Sequence, residues 1–182
     1  MINKIIRKIR SYSLSKKGAK LSDTIQSKGN FFEGNPKGLK CGKAIYLMEG
    51  VKMIVDNKSN VPQLIIGDYF FMNCYSIIDC HFNITIGKRV LIGPHCYIAD
   101  FDHDMHVNIH QPLHRANESC EAVVIKDNVW LGAGVTVLKG VTIGKNSVIA
   151  AGSVVITDIP DNVVAAGVPA KIKRIIENNV DE

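Results

Sequence analysis

Paired cysteines, aromatics and long apolar runs are scarce in this 182-residue chain. Its five cysteines (Cys41, Cys74, Cys80, Cys96, Cys120) contain no C-x-x-C pair, and their number is odd. That argues against a disulfide framework and for free thiols in a reducing cytoplasm. No run of 18 or more apolar residues occurs, so no membrane-spanning helix is expected. The first residues are too charged and too interrupted for a signal peptide. Aromatics make up 7% of the chain, and Tyr12 alone interleaves with its basic head. A stacking surface for nucleic acid is therefore not expected.

What is present is a repeat. Ile125, Leu131, Val137, Ile143, Ile149 and Val155 recur every six residues without a slip. Four positions later in each unit stand Val129, Val135, Val141, Ser147, Ser153 and Ile159. Gly132, Gly144 and Ala150 follow the aliphatic position. A period of six is neither the two of a strand nor the 3.6 of a helix. It is the hexapeptide repeat of a parallel β-helix, in which three units close one coil of about 18 residues. No coil buries its apolar side alone, so coils must stack. The expected fold is all-β: a parallel β-helix spanning 31–169, with an extruded loop and a short N-terminal helix.

Irregular first coils are expected over Phe31–Val61, and regular sixes from Ile66 through Met72 and Ile78. The phase slips near Ile84 and Ile86, as one or two residues inserted at a corner would cause. Residues 99–123 (ADFDHDMHVNIHQPLHRANESCEAV) carry no periodicity and are rich in His and Asp. A long loop extruded from a rigid solenoid is usually functional. Residues 170–182 form a tail, with 170–177 read as a short strand or helix.

Charge is uneven. Residues 1–43 hold 11 Lys/Arg against Asp23 and Glu33, about +9, while the rest is about −4. Within residues 1–30, read as a basic helix and a flexible connection, Ile2, Ile5, Ile6 and Ile9 share one helical face. Two roles stay open for residues 2–10. One is peripheral contact with an anionic membrane, at the inner face of the cell membrane. The other is packing on the coil end or on a neighbouring subunit.

NVWLGAGVTVLKGVTIGKNSVIAAGSVVITDIPDNVVAAGVPAKIKR resembles the C-terminal half of hexapeptide-repeat O-acetyltransferases. These are the maltose/galactoside type and its relatives in capsule and exopolysaccharide clusters. IGKRVLIGPHCYIADFDHDMH resembles the segment that carries their catalytic His. The likeness covers roughly residues 60–176. The first 60 residues look more like the polysaccharide-cluster relatives. The resemblance implies a left-handed β-helix, a homotrimer with active sites between subunits, and acetyl-CoA as donor with no metal. It implies a sugar hydroxyl of a surface polysaccharide or its precursor as acceptor.

Acetyl transfer to a hydroxyl needs a base, and His titrates in the useful range. His103 matches the family's catalytic His. Asp100 and Asp102 flank it, and either could orient its ring; His106 is a weaker acceptor contact. Asn73 matches an acceptor-binding Asn, and a corner Asn is the bland alternative. His81, with Asp79 two residues earlier, stands where the family has a second acceptor carboxylate. Trp130 falls between inward Val129 and Leu131, so it should point outward, where the likeness puts the trimer groove and the CoA tunnel. The donor arm would meet backbone at Ala133, Ala151 and Gly152. Lys171 and Arg174 match basic positions at the nucleotide phosphates, or are a solvated tail. Three other readings remain: N-acetylation of an amino-sugar nucleotide, a zinc carbonic-anhydrase-like β-helix using His81 and His103, and a non-catalytic trimeric scaffold. A covalent acetyl-cysteine is disfavoured, because neighbours on a strand face apart.

Overall fold

The computed structural model describes residues 11–56, 63–103 and 118–177. The basic segment 2–10 and His106, His110 and His114 lie outside these residues. Three parallel sheets run the length of the molecule, and successive strands pass from the first to the second to the third and back. One coil reads Leu64–Ile66, Phe71–Met72, Ile77–Cys80, and the next reads Ile84–Ile86, Leu91–Ile92, Tyr97–Ala99. Each strand pairs in register with its equivalent one coil away, as Ile86 does with Ile66 and Ile125. The winding is that of a left-handed parallel β-helix.

The core is a set of stacked ladders. Leu47, Met72, Ile92, Leu131 and Ile149 form one, and all are buried. The second apolar position of each unit is buried too, from Val129 to Ile159. Where it is serine, the hydroxyl joins coils. Ser147 donates to the Pro160 carbonyl at 2.8 Å and accepts the Val163 N–H at 3.2 Å. Ser153 donates to the Ala150 carbonyl and accepts the Gly167 N–H. A buried hydroxyl paired in this way costs little.

One corner repeats a capping device. The Asp68, Asp127 and Asp161 carboxylates accept the backbone N–H of Lys43, Lys88 and Lys145, each from the neighbouring coil, at 2.8–2.9 Å. The residue before each lysine is glycine. A Cβ at Gly87 would stand 2.3 Å from Asp127 Oδ1, so the coils close only without a side chain there.

Two expectations change. Residues 11–30 are not a flexible connection: 11–16 are helical, and Lys20–Leu21 and Gln26–Ser27 pair in parallel with Leu39–Cys41 and Tyr46–Leu47. The stretch after Phe31 is also regular, with Phe32–Gly34 in register with Lys52–Val55. Polar outward residues mask the period in these coils, while Ile25, Phe31, Leu39 and Ile45 fill the inward positions. The slip at Ile84 and Ile86 is a three-residue strand with both side chains inward, after a corner widened by His81–Asn83. At the far end, Lys171–Ile175 is a strand, antiparallel to Val163–Ala166, and it covers the edge of the second sheet.

Candidate active site

The loop leaves and re-enters at the corner between the third and first sheets. Its stem is a two-stranded antiparallel ribbon, Phe101–His103 against Glu118–Cys120. His103 lies directly opposite Glu118, and Asp102 opposite Ser119. Opposed residues share a face and alternate residues return to it, so Phe101, His103 and Glu118 lie on one side and Asp102 on the other. His103 is exposed.

His81, from the preceding coil's corner, packs onto the first side. Its ring stacks on Phe101 at 3.7 Å between centroids and 11° between planes. Phe101 in turn meets His103 edge-on at 6.0 Å. His81 Nδ1 lies 2.8 Å from Glu118 Oε2, and Nε2 lies 3.2 Å from Asp79 Oδ1. The Tyr97 hydroxyl donates to Asp79 Oδ2 at 3.4 Å. Burial raises the Asp79 carboxyl above its ordinary range, against the opposing pull of His81. Burial, with Asp79 beside it, pushes the Tyr97 phenol up to about 12, so it stays a donor.

The two aspartates that flank His103 serve other groups. Asp100 is fully buried. Its carboxylate accepts the His81 and Phe82 N–H groups at 2.8 and 2.9 Å and takes the Cys80 thiol at 3.5 Å. It holds the widened corner and bonds to that corner rather than to His103, which corrects its reading as the carboxylate that orients the His103 ring. Asp102 turns to Lys139 Nζ at 3.3 Å, on the face of the stem away from His103. The ring nitrogens of His81 face Glu118 and Asp79.

The remaining residues occupy other parts of the coil. Asn73 lies at the corner between the second and third sheets, where its Oδ1 accepts the Cys74 N–H at 2.7 Å. Ala133, Ala151 and Gly152 lie at the same corner and are exposed. Gly152 has φ +69°, and a Cβ there would meet nothing within 4 Å, so this corner borders open space. Trp130 points outward on the second sheet, 52% exposed. It belongs to an outward ladder running Tyr46, Phe71, Leu91, Trp130, Val148, Val164. The ladder ends at Arg174, opposite Val164. A register shift beside Val164 puts Lys171, opposite Ala166, on the same outward face. Trp130 and Arg174 are three strands apart, about 14 Å.

Cys41, Cys80 and Cys96 are buried, and burial raises all three thiols, Cys41 to about 12. None of these three is a nucleophile near neutral pH.

Periodicity pointed to none of Glu118, Phe101 or Tyr97. Glu118 returns from an aperiodic loop, and only the pairing of the stem brings it to His81.

Known proteins bear on this geometry. The family description "Bacterial transferase hexapeptide (six repeats)" matches residues 122–157. The galactoside O-acetyltransferase of Lactococcus lactis is 47% identical over 97 residues, 53% of this chain and 45% of that protein. That of Escherichia coli is 42% identical over 113 residues, 62% and 54%. The chain thus spans about half the length of the curated relatives it matches. A hexapeptide-repeat acetyltransferase of Vibrio cholerae, solved with acetyl coenzyme A, superposes with TM-score 0.65 at 27% identity, over 94% of this chain and 79% of that one. A galactoside acetyltransferase solved with coenzyme A gives 0.64 at 33%, over 80% and 66%. The uninterrupted sixes and the coil they build thus carry the hexapeptide repeat over residues 122–157, and the chain is similar to hexapeptide-repeat acetyltransferases.

Proposed function

We propose that this protein is an acetyl-CoA-dependent O-acetyltransferase acting on a sugar hydroxyl of a surface polysaccharide or its precursor, with His103 as general base. The observation that carries this reading is His103 on the loop stem, exposed, on the same face as Phe101, His81 and Glu118. The galactoside acetyltransferase names of the relatives, and the coenzyme bound in two structural neighbours, support the reaction and its donor.

The chemistry is short. An imidazole nitrogen of His103 takes the proton of the acceptor hydroxyl as its oxygen attacks the thioester carbonyl. The tetrahedral intermediate expels the CoA thiolate, and the imidazolium returns the proton to that sulfur. An O-acetyl sugar and free CoA leave. The donor's extended arm suits the open corner at Ala133, Ala151 and Gly152, and its phosphates suit Lys171 and Arg174 beyond Trp130. Asn73 meets the acceptor as a donor and acceptor of hydrogen bonds. The apolar outward ladder is the surface we assign to a homotrimer, which would cover Trp130.

Calorimetric titration with acetyl-CoA tests the donor site without knowing the sugar. Saturable binding near one per chain is expected, weakened by Lys171→Glu with Arg174→Glu; no binding at millimolar donor would sink the reading. Thiol release with screened glycans then tests the base. His103→Ala should lower kcat by about 10²–10⁴-fold with little change in donor binding. A variant that keeps most of its activity would point to an amine acceptor that needs no base.

A further inference from the structure

A general base has to be held where its proton transfer happens, and neither aspartate beside His103 in sequence turns to it. On its face of the loop stem, the side chain that reaches across from the coil is His81. Its ring lies on Phe101 at 3.7 Å between centroids and 11° between planes, and Phe101 meets His103 edge-on at 6.0 Å. His81 Nδ1 also stands 2.8 Å from Glu118 Oε2. Glu118 lies directly opposite His103 in the ribbon, and Phe101 is two residues before it on the same strand. One ring therefore touches a neighbour of His103 on each strand of the stem, on the face His103 shares.

That ring is itself anchored in the coil. Asp100, buried beneath the corner, accepts the His81 N–H at 2.8 Å and fixes the backbone from which the ring projects. Nε2 lies 3.2 Å from Asp79 Oδ1, an oxygen buried without an aligned hydrogen bond among the described residues. Tyr97 donates to the other Asp79 oxygen at 3.4 Å. The protonated ring presents an N–H at both nitrogens, so it links the coil carboxylate to the loop carboxylate. The His81, Asp79 and Glu118 side chains are only 18%, 16% and 21% exposed, so water screens these pairs poorly. On the far face Lys139 takes Asp102 and the Ser119 carbonyl, which leaves the ribbon gripped from both sides.

We propose that His81 is a positioning residue for His103: it clamps Phe101 and Glu118 to the coil and so fixes the stem from which the base projects. This deepens the acetyl-transfer reading and rests on His103 being the base. A reacting group misplaced by about 1 Å loses on the order of 10²-fold in rate, so a clamp of this kind acts on turnover. Binding is left alone, because His81 meets the stem rather than donor or acceptor.

The test uses the full chain with acetyl-CoA as donor and methyl β-D-galactopyranoside as acceptor probe, beside NMR of the histidine and phenylalanine rings, which needs no acceptor. His81→Gln keeps a polar side chain but loses the stack; Glu118→Ala removes the returning strand's half of the clamp. Each should lower kcat about tenfold or more, with acceptor KM and acetyl-CoA affinity within about threefold of wild type. The double variant should fall no further than the worse single one, because both act through one contact. The His103 ring signal, assigned by its loss in His103→Ala, should lose its nuclear Overhauser contact to the Phe101 ring in both variants. The methyl signals of Leu131 and Ile149 should stay in place and report folded coils. Where the wild type leaves the probe unacetylated, the ring contact decides alone. A contact that survives both variants overturns the proposal, as does loss of the coil signals in both. A raised acceptor KM at unchanged kcat would make His81 an acceptor contact and overturns it too. Activity lost in His103→Ala but kept in His81→Gln sinks the clamp alone, whereas activity kept in His103→Ala sinks the base reading.

Discussion

Cys41 shows how a single residue sets a pH limit. It is buried among Leu39 and Ile66, and its thiol is pushed up to about 12 from an ordinary 9.0. A raised value in the folded state means that the folded chain holds the proton more tightly. The stabilisation is fully present below pH 9.0 and is lost as pH rises towards about 12. Urea unfolding from pH 8 to 11 should show wild-type stability falling more steeply than that of Cys41→Ala; parallel slopes would contradict the burial argument. At the same scale, Asp100 could not be assigned from its neighbours in sequence. It sits two residues from the loop's first Asp-His pair, where an orienting carboxylate would be sought. Its burial under the corner, and its bonds to His81 and Phe82 one coil away, are tertiary facts.

At the scale of elements, each unit is two or three strand residues and a corner, and the corners carry the tolerance limits. Gly87 packs against Asp127 of the next coil, where a methyl group would meet a carboxylate oxygen at 2.3 Å and a backbone nitrogen at 2.7 Å. Gly87→Ala should therefore destabilise by about 1–3 kcal/mol, through backbone displacement and a lost Lys88 cap. Equilibrium denaturation measures this, and a change below about 0.5 kcal/mol would mean that the corner yields freely. The loop stem is held differently, by Lys139 on one face and by His81 on the other. The period of six identified the loop as an interruption. It could not pair Phe101 with Cys120, because ribbon register depends on residues outside any repeat.

At the scale of the whole molecule, the second sheet presents an outward column from Tyr46 to Val164 that ends at Arg174. Tyr46, Leu91 and Trp130 are each more than 40% exposed in the single chain. An apolar column of this length is expected to be covered. If the proposed trimer covers it, Trp130→Asp should shift sedimentation equilibrium towards monomer and weaken acetyl-CoA binding at least tenfold. A variant that stays trimeric and binds normally would place the assembly surface elsewhere. Dilution of the wild type should likewise red-shift the emission of its only tryptophan.

The period of six determined the stacked coils, the inward ladders, the outward Trp130 and the extruded loop, because in a solenoid each of these follows from spacing along the chain. The coils over Phe31–Val61 were expected to be irregular, and 11–30 a flexible connection, because polar residues fill many of their outward positions and leave the inward repeat faint. The partners of the loop corner were decided by tertiary structure alone. Asp56, Asp79, His81, Asp100 and Glu118 meet because three coil layers and a returning strand converge at one corner. Residues so far apart in sequence leave no period to read, and their charges matter only once burial removes the water between them.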